Sequence, residues 1–288
     1  MTTLHDFTLN ADAEAILIRS AFERFGIVVL KNLISKHDLR QQRDAVNRLL
    51  GIRLKALGNP VASEDIDENL NALVRIDRRY VMDIIRAIKD SPFFYGVLAN
   101  PRLHDVSRAC LNCETLLSIH DIAQFRIDPP NDDARNFEWH QDFQYNMMSM
   151  NSATVWYPLR RISEDMGPLV VAPGSHRKIV PIEMDFTNHQ PGSGSMHAAL
   201  RFKVDEQEAE RNALMLCPVE EGDVIVFHSL LLHRSSANRS ARSRWTVNPR
   251  FGDAADPAFA GRGWLGVRDK TPEVFAQYYP QYVKVSDG

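Results

Sequence analysis

The strongest constraint on the fold is a change of texture between Leu111 and Glu114. Before it, apolar residues recur at helical intervals; after it, they fall into short β-type runs separated by turn clusters. Residues Ala15, Ile16, Ile18, Ala21, Phe22 and Phe25 mark one helical face within Ala11–Phe25, and Gly26 stops it ahead of a short buried strand, Ile27–Leu30. Ser35, with Asp38 three residues on, reads as a capping box that opens a helix to about Leu57. Asp65–Lys89 continues the helical pattern, and Pro92 and Pro101 suit the first turns of shorter helices ending at Leu111. The later runs are Leu116–Ile127, Ala153–Leu159, Leu169–Ala172 and Val224–Leu232. Helices first and strands afterwards, without βαβ alternation, predict a mainly β fold. The expected form is a double-stranded β-helix, a cupin-like jelly roll, buttressed by N-terminal helices. One domain over residues 1–288 is expected, helical over about 11–111 and jelly roll over about 114–251. The Gly- and Ser-rich stretch Thr187–Met196 reads as a surface loop and a candidate lid.

Composition excludes several classes. A formal charge of −3 provides no field to gather nucleic acid or an anionic membrane. No stretch approaches the roughly 20 apolar residues of a membrane span, and Met1–Asn10 has no apolar signal region. Three cysteines, Cys110, Cys113 and Cys217, do not make a disulfide framework and suit a reducing compartment, so a cytoplasmic location is expected. A small-molecule partner remains, with monomer and homodimer both open.

His140-Gln141-Asp142 carries the first chemical signal, because residues i and i+2 of an extended strand share a face and can reach one metal. With 10 His and 37 acidic residues, about one His-x-Asp/Glu pair arises by chance, so the motif is weak alone. Trp139 and Phe143 flank it with rings that would wall a dry pocket. A two-His, one-carboxylate iron(II) centre needs a second histidine from a distant strand. His228 and His233 are the candidates; five positions apart, they face opposite ways on a regular strand. His233 is preferred because it ends the apolar run and has Arg244 eleven residues beyond it. An arginine fork holds a carboxylate bidentately, as the distal end of 2-oxoglutarate requires. Arg242 and Arg250 lie nearby and read as solvated charges; Arg126, Arg160, Arg161 and Arg250 could supply an anion-binding contact, with a surface charge the first reading of each.

Several ordered blocks then match one family. They are Phe25-Gly26, Gln124-Phe125-Arg126, Trp139-His140-Gln141-Asp142, Trp156, Gly167-Pro168-Leu169 with Pro173-Gly174-Ser175-His176, and His233 through Asn238 to Arg244. Across roughly Glu23 to Phe251 the chain resembles the phytanoyl-CoA dioxygenase family of iron(II)/2-oxoglutarate enzymes, which includes ectoine hydroxylases. The resemblance implies Fe(II), 2-oxoglutarate and O2, with His140, Asp142 and His233 as iron ligands and Arg244 on the distal carboxylate. It implies that Ser235 and Trp156 line the co-substrate pocket, that Gln124 contacts co-substrate or substrate, and that Phe137 shapes the cavity. Phe143, Tyr145, Asn146 and Thr246 are the candidate substrate contacts, and Gln144 is likewise expected to face the pocket. Arg234 and Ser236 replace glycines usual in the family, which puts the local turn in question. Asp142 argues against halogenation, where a small residue replaces the carboxylate.

Other motifs take bland readings. His176 sits in a tight turn, Cys110 and Cys113 pack a helix, and Met147, Met148 and Met150 fill gaps as readily as they line a channel. Two rival functions fit the same fold. A cupin-like metal enzyme without oxygen chemistry would use the ligands but leave Arg244 unexplained, and a non-catalytic jelly-roll binding module would leave the whole ordered pattern unexplained.

Overall fold

A computed structural model describes residues 2–59, 63–118, 120–133, 136–185, 201–265 and 271–285. Six helices fill the N-terminal part: α1 Ala15–Phe25, α2 Lys36–Ala56, α3 Ile66–Ile76, α4 Tyr80–Lys89, α5 Pro92–Leu98 and α6 Pro101–Leu111. Their ends follow local chemistry. Gly26 caps α1 in the left-handed region, the Ser35 hydroxyl accepts from Asp38 N–H at the start of α2, and Pro92 and Pro101 occupy first-turn positions. The expected Asp65–Lys89 segment is two helices, broken at Asp77.

Strands β1 Thr8–Asn10 and β2 Ile27–Lys31 precede or interrupt the helices; β3 Leu116–Ser118, β4 Gln124–Asp128, β5 Ser152–Pro158, β6 Leu169–Val171 and β7 Ile182–Asp185 follow. After them come β8 Arg201–Val204, β9 Met215–Cys217, β10 Val224–His228, β11 His233–Arg234, β12 Arg244–Asn248, β13 Arg250–Asp253 and β14 Val283–Val285. Four shorter helices complete the described elements: α7 Asp142–Tyr145, α8 Glu206–Glu210, α9 Pro257–Gly261 and α10 Thr271–Tyr278.

The large sheet runs β1-β2-β10-β5-β12-β4, with β13 pairing both β5 and β3. A three-stranded sheet, β11-β6-β9, supplies the other wall of the cavity described below. More described residues are helical than extended, so the mainly β expectation is corrected to a mixed architecture. The β-runs were legible, but the helical layer is larger than a buttress. The run Leu116–Ile127 is two strands separated by a helical turn at His120–Ile122, and Val224–Leu232 stops being a strand at His228. The Thr187–Met196 loop lies outside the described residues.

What positions the site is a period-two alternation in the large sheet. Phe125 and Ile127 of β4 and Trp245 and Val247 of β12 enter the same hydrophobic core as the helices. Between them, Gln124, Arg126 and Asp128, and Arg244, Thr246 and Asn248, face the cavity. Antiparallel register sets them directly opposite: Arg244 with Asp128, Thr246 with Arg126, Asn248 with Gln124.

Candidate active site

Two histidines meet through a backbone bridge. His140 N–H donates to His233 O and His233 N–H donates to His140 O, at 3.0 and 3.1 Å. An antiparallel pair that exchanges both hydrogen bonds presents its two side chains on one face, and the ring centroids lie 4.1 Å apart. The expected His140–Asp142 strand pair is corrected here: His140 lies in the bridge, whereas Asp142 is the first residue of α7. Gln141 anchors the junction. Its Nε2 donates to Lys178 O and Leu230 O, and its Oε1 accepts from Val180 N–H. Asp142 Oδ1 thereby stands 3.8 Å from His140 Nε2 and 3.9 Å from His233 Nε2, with all three side chains buried.

The tautomers follow from the partners. Each Nδ1 faces a carbonyl, Glu138 O at 2.7 Å for His140 and Leu231 O at 2.9 Å for His233, and a carbonyl only accepts. Each Nδ1 therefore carries the proton, and each Nε2 turns a lone pair toward Asp142. Burial, reinforced by His233, pushes the His140 pKa down to about 3; burial also lowers that of His233. Both are neutral donors at neutral pH. Burial opposes ionisation of Asp142, but Arg250, the two histidines and the Thr154 hydroxyl outweigh it and hold the carboxyl well below the usual range. One ion making bonds of about 2 Å can bridge donors at these separations, and two imidazoles with one carboxylate suit Fe(II) with open positions.

A second cluster lines the same cavity. Arg244 is 4% exposed; its Nε donates to Asp128 Oδ2 at 3.2 Å, and its Nη2 lies 3.1 Å from the same oxygen in an ion pair. Arg126 donates to the other oxygen, Oδ1, at 2.7 Å. Two arginines thus converge on one carboxylate at this end of the cavity. Two positions along, the Thr246 hydroxyl oxygen is buried without a hydrogen-bond partner, and so is Asn248 Oδ1. The Thr246 hydroxyl, which can donate, beside a buried arginine fits a carboxylate-bearing co-substrate, whereas Asn248 Oδ1 can only accept.

The cavity gathers Gln124, Phe137, His140, Asp142, Tyr145, Asn146, Trp156, His233, Ser235, Arg244 and Thr246, all anticipated from sequence. Phe137, His140 and Tyr145 form one aromatic wall, with ring centroids 5.2 to 6.0 Å apart. Phe143 is a correction. Its ring is fully buried against Phe275 and Tyr279, in a hydrophobic cluster that also holds Trp139 and Met147, so neither flanking ring lines the cavity. Asp142 and Asn146 face the cavity and Phe143 turns away, as helical spacing dictates, and Gln144 is a second correction: it is buried, donates to Val180 O and does not line the cavity. His228 is also apart: its ring packs against Phe22 and His176. Arg234 and Ser236, at the two substituted glycine positions, are accommodated. Arg234 lies 5.1 Å from the Trp139 ring centre and the Ser236 hydroxyl donates to Pro168 O.

Sequence reasoning missed the supporting residues. Arg250, read as a surface charge, is 5% exposed and donates to both oxygens of Asp142. Arg126 likewise faces the cavity. Asp128, Thr154 and Asn248 were not singled out. The available signal was the polar alternation Arg244, Thr246, Asn248, Arg250 through an otherwise apolar run.

The fold and donor set define a class: two β-sheets enclosing a two-histidine, one-carboxylate centre beside a buried arginine. The sequence pattern of the family described as phytanoyl-CoA dioxygenase matches residues 22–246, and the chain belongs to that family. A bovine (Bos taurus) relative, the peroxisomal phytanoyl-CoA dioxygenase, is 24% identical over 82% of this chain and 68% of its own length. The fold resembles that of EctD from S. alaskensis with 2-oxoglutarate and 5-hydroxyectoine (TM-score 0.55, 21% identity, covering 83% of this chain and 76% of that one). It also resembles the non-heme alpha-ketoglutarate-dependent carbocyclase SnoK from nogalamycin biosynthesis (TM-score 0.56, 15% identity, covering 86% and 87%).

Proposed function

We propose that this chain is an iron(II)- and 2-oxoglutarate-dependent dioxygenase that hydroxylates, or otherwise oxidises, a small molecule. The observation that carries the reading is the coexistence, in one cavity, of the His140–Asp142–His233 triad and the buried Arg244 fork. The jelly-roll description belongs to this reading: the β11-β6-β9 sheet would close over the large sheet as the second half of a double-stranded β-helix.

His140, Asp142 and His233 would hold the iron, and Arg244 the distal carboxylate of 2-oxoglutarate, with Thr246, Ser235 and Trp156 around it. When bound, iron and 2-oxoglutarate together activate O2, so that one oxygen atom enters succinate with release of CO2 and the other oxidises the substrate. The chain's own share is placement and exclusion of water. The carbonyls of Glu138 and Leu231 fix both imidazoles with Nε2 inward. Phe137, Tyr145 and Trp156 wall the centre with rings, and Gln124, Asn146 and Asn248 present polar groups with which a substrate can be oriented.

A metal enzyme without oxygen chemistry would have no use for Arg244, and a binding module none for two histidines locked with their lone pairs converging. Among the described residues no helix is long and apolar enough to cross a membrane. The three free cysteines support the cytoplasmic reading. Iron-loaded protein in air, given 2-oxoglutarate and a panel of small acids, amines and alcohols, should release succinate above a His233→Ala background, with substrate raising the rate. Failure of the iron-loaded parent either to bind or to consume 2-oxoglutarate would overturn the proposal.

A further inference from the structure

Two residues on neighbouring strands hold the carboxylate of the triad, and the register explains why they can. In the β13–β5 ladder Arg250 lies directly opposite Thr154. Directly opposed residues of an antiparallel pair share a face, and both side chains here face the cavity. The Thr154 hydroxyl donates to Asp142 Oδ2 at 2.5 Å. Arg250 Nε donates to the same oxygen at 3.2 Å, and Nη2 reaches Oδ1 at 3.2 Å and Oδ2 at 3.1 Å. The remaining guanidinium nitrogen, Nη1, donates to Ile122 O at 2.5 Å, which ties the fork to the turn before β4. Oδ2 therefore has three donors and Oδ1 has one short-range donor from the rung, with Asn146 Nδ2 at 3.5 Å beyond it. It is Oδ1 that stands within 4 Å of both histidine Nε2 atoms.

We infer that the Thr154–Arg250 rung is the positioning device of the metal centre, holding Oδ2 back so that Asp142 offers a metal one oxygen, Oδ1. A carboxylate free to rotate could offer both oxygens and take two coordination positions. The rung keeps it to one, so the positions needed for a bidentate keto-acid and for O2 stay available. A donor pair saturating Oδ2 also sets the carboxylate plane, as hydrogen-bond partners behind metal ligands generally do. The inference rests on the metal-centre reading above and adds a role for two residues that do not themselves ligate.

The test uses full-length, metal-free protein titrated with Co(II), following affinity by calorimetry and geometry by the visible absorption bands. Arg250→Met should weaken Co(II) binding by roughly 10- to 100-fold, the range expected for a partner behind a metal ligand. Arg250→Lys, whose ammonium can reach one oxygen, should recover part of that loss. Thr154→Val keeps shape and adds no charge; it should fall toward the low end of the range and change the bands. Melting of the metal-free proteins supplies the fold control, with Arg250→Lys and Thr154→Val deciding the matter if Arg250→Met does not fold. A merely structural ion pair would lower the metal-free melting point and leave affinity and bands as in the parent; that result would overturn the inference. His233→Ala separates the two levels. Loss of Co(II) in His233→Ala with no change in the rung variants sinks the rung alone, whereas retention in His233→Ala sinks the metal-centre reading and the rung with it.

Discussion

At the histidine end of the cavity Arg250 backs Asp142; at the other end Asp128 backs Arg244. Both are buried aspartate–arginine pairs with N–O distances of 3.1 Å, yet they are built to opposite purposes. Surroundings decide which partner is offered to a ligand. Asp142 has two neutral imidazoles converging on one oxygen, so the pair presents a carboxylate to a cation. Arg244 shares Asp128 with Arg126, so two guanidiniums converge on one carboxylate there, and in the proposed reading Arg244 is the group offered to an anion. A buried ion pair is thus poor evidence of function until the third group is known. The pair alone stabilises little, because desolvation offsets most of the attraction.

The largest effect should come from the presenting groups at the histidine end. Ala at His140, Asp142 or His233 should reduce succinate release to background and sharply weaken metal binding, because each removes one of three protein donors. Equal losses at His228→Ala would break the distinction between the ends and the rest of the core. Arg244→Lys is the counterpart at the other end. Metal affinity should hold, while the 2-oxoglutarate KM rises roughly 10- to 100-fold, the worth of one charge-assisted hydrogen bond of about 1.5 to 3 kcal/mol. Equal co-substrate kinetics in variant and parent would remove Arg244 from that role.

The same comparison shows where sequence reasoning reached and where it stopped. Asp142 and Arg244 were legible because each belongs to a short local pattern, His140-Gln141-Asp142 and the spacing from His233. Their backing partners stand 108 and 116 residues away in sequence, and only the pairing of β13 with β5 and of β12 with β4 brings strands and partners to one cavity. Arg250 looked like a strand charge for the same reason. Phe143 failed differently: it adjoins Asp142, and in the helical turn that Asp142 starts its ring points into the core. The helical N-terminal half was readable from periodicity and caps, since those signals are local. The weight of helix against sheet was not, because strands as short as these carry too few residues for their alternation to stand out from turns.

Asp128→Asn probes the backing residue at the Arg244 end and should act on stability before catalysis. An amide oxygen can still accept from one arginine, but the negative charge that Arg126 and Arg244 share is gone. A cost of up to about 3 kcal/mol is expected, lowering the melting midpoint by several degrees for a chain of this size. Metal with 2-oxoglutarate should then raise the midpoint more than in the parent, because the co-substrate carboxylate replaces the lost charge. An identical ligand-induced rise in both proteins would mean that Asp128 does not share its arginines with the co-substrate.

The smallest effect tests whether burial alone explains the histidines of the site. Burial, with a contribution from His176, pushes the His228 pKa down to about 3, close to that of His140, yet no carboxylate faces it in the way Asp142 faces His140 and His233. Its Nδ1 accepts from Leu230 N–H at 3.0 Å. The folded pKa lies below the unfolded value of about 6.5, so the neutral form is favoured by folding. Above about pH 6.5 neither state binds the proton and His228 adds no pH dependence. Between about 6.5 and 3 the unfolded chain binds it and the folded one does not, so stability falls as pH falls, by about 1.4 kcal/mol per pH unit for one proton. His228→Asn keeps an acceptor for Leu230 N–H and cannot titrate. Urea unfolding of the metal-free variant at about pH 6 and 5 should therefore show a slope shallower than the parent's by about one proton, with Co(II) affinity at neutral pH unchanged. The His140 and His233 contribution should remain in that variant and persist when metal is bound, since a metal on the same Nε2 lone pairs keeps the folded imidazoles unprotonated while the unfolded chain still takes up the protons. A slope equal to the parent's would show that His228 takes up its proton as readily in the fold as in the open chain.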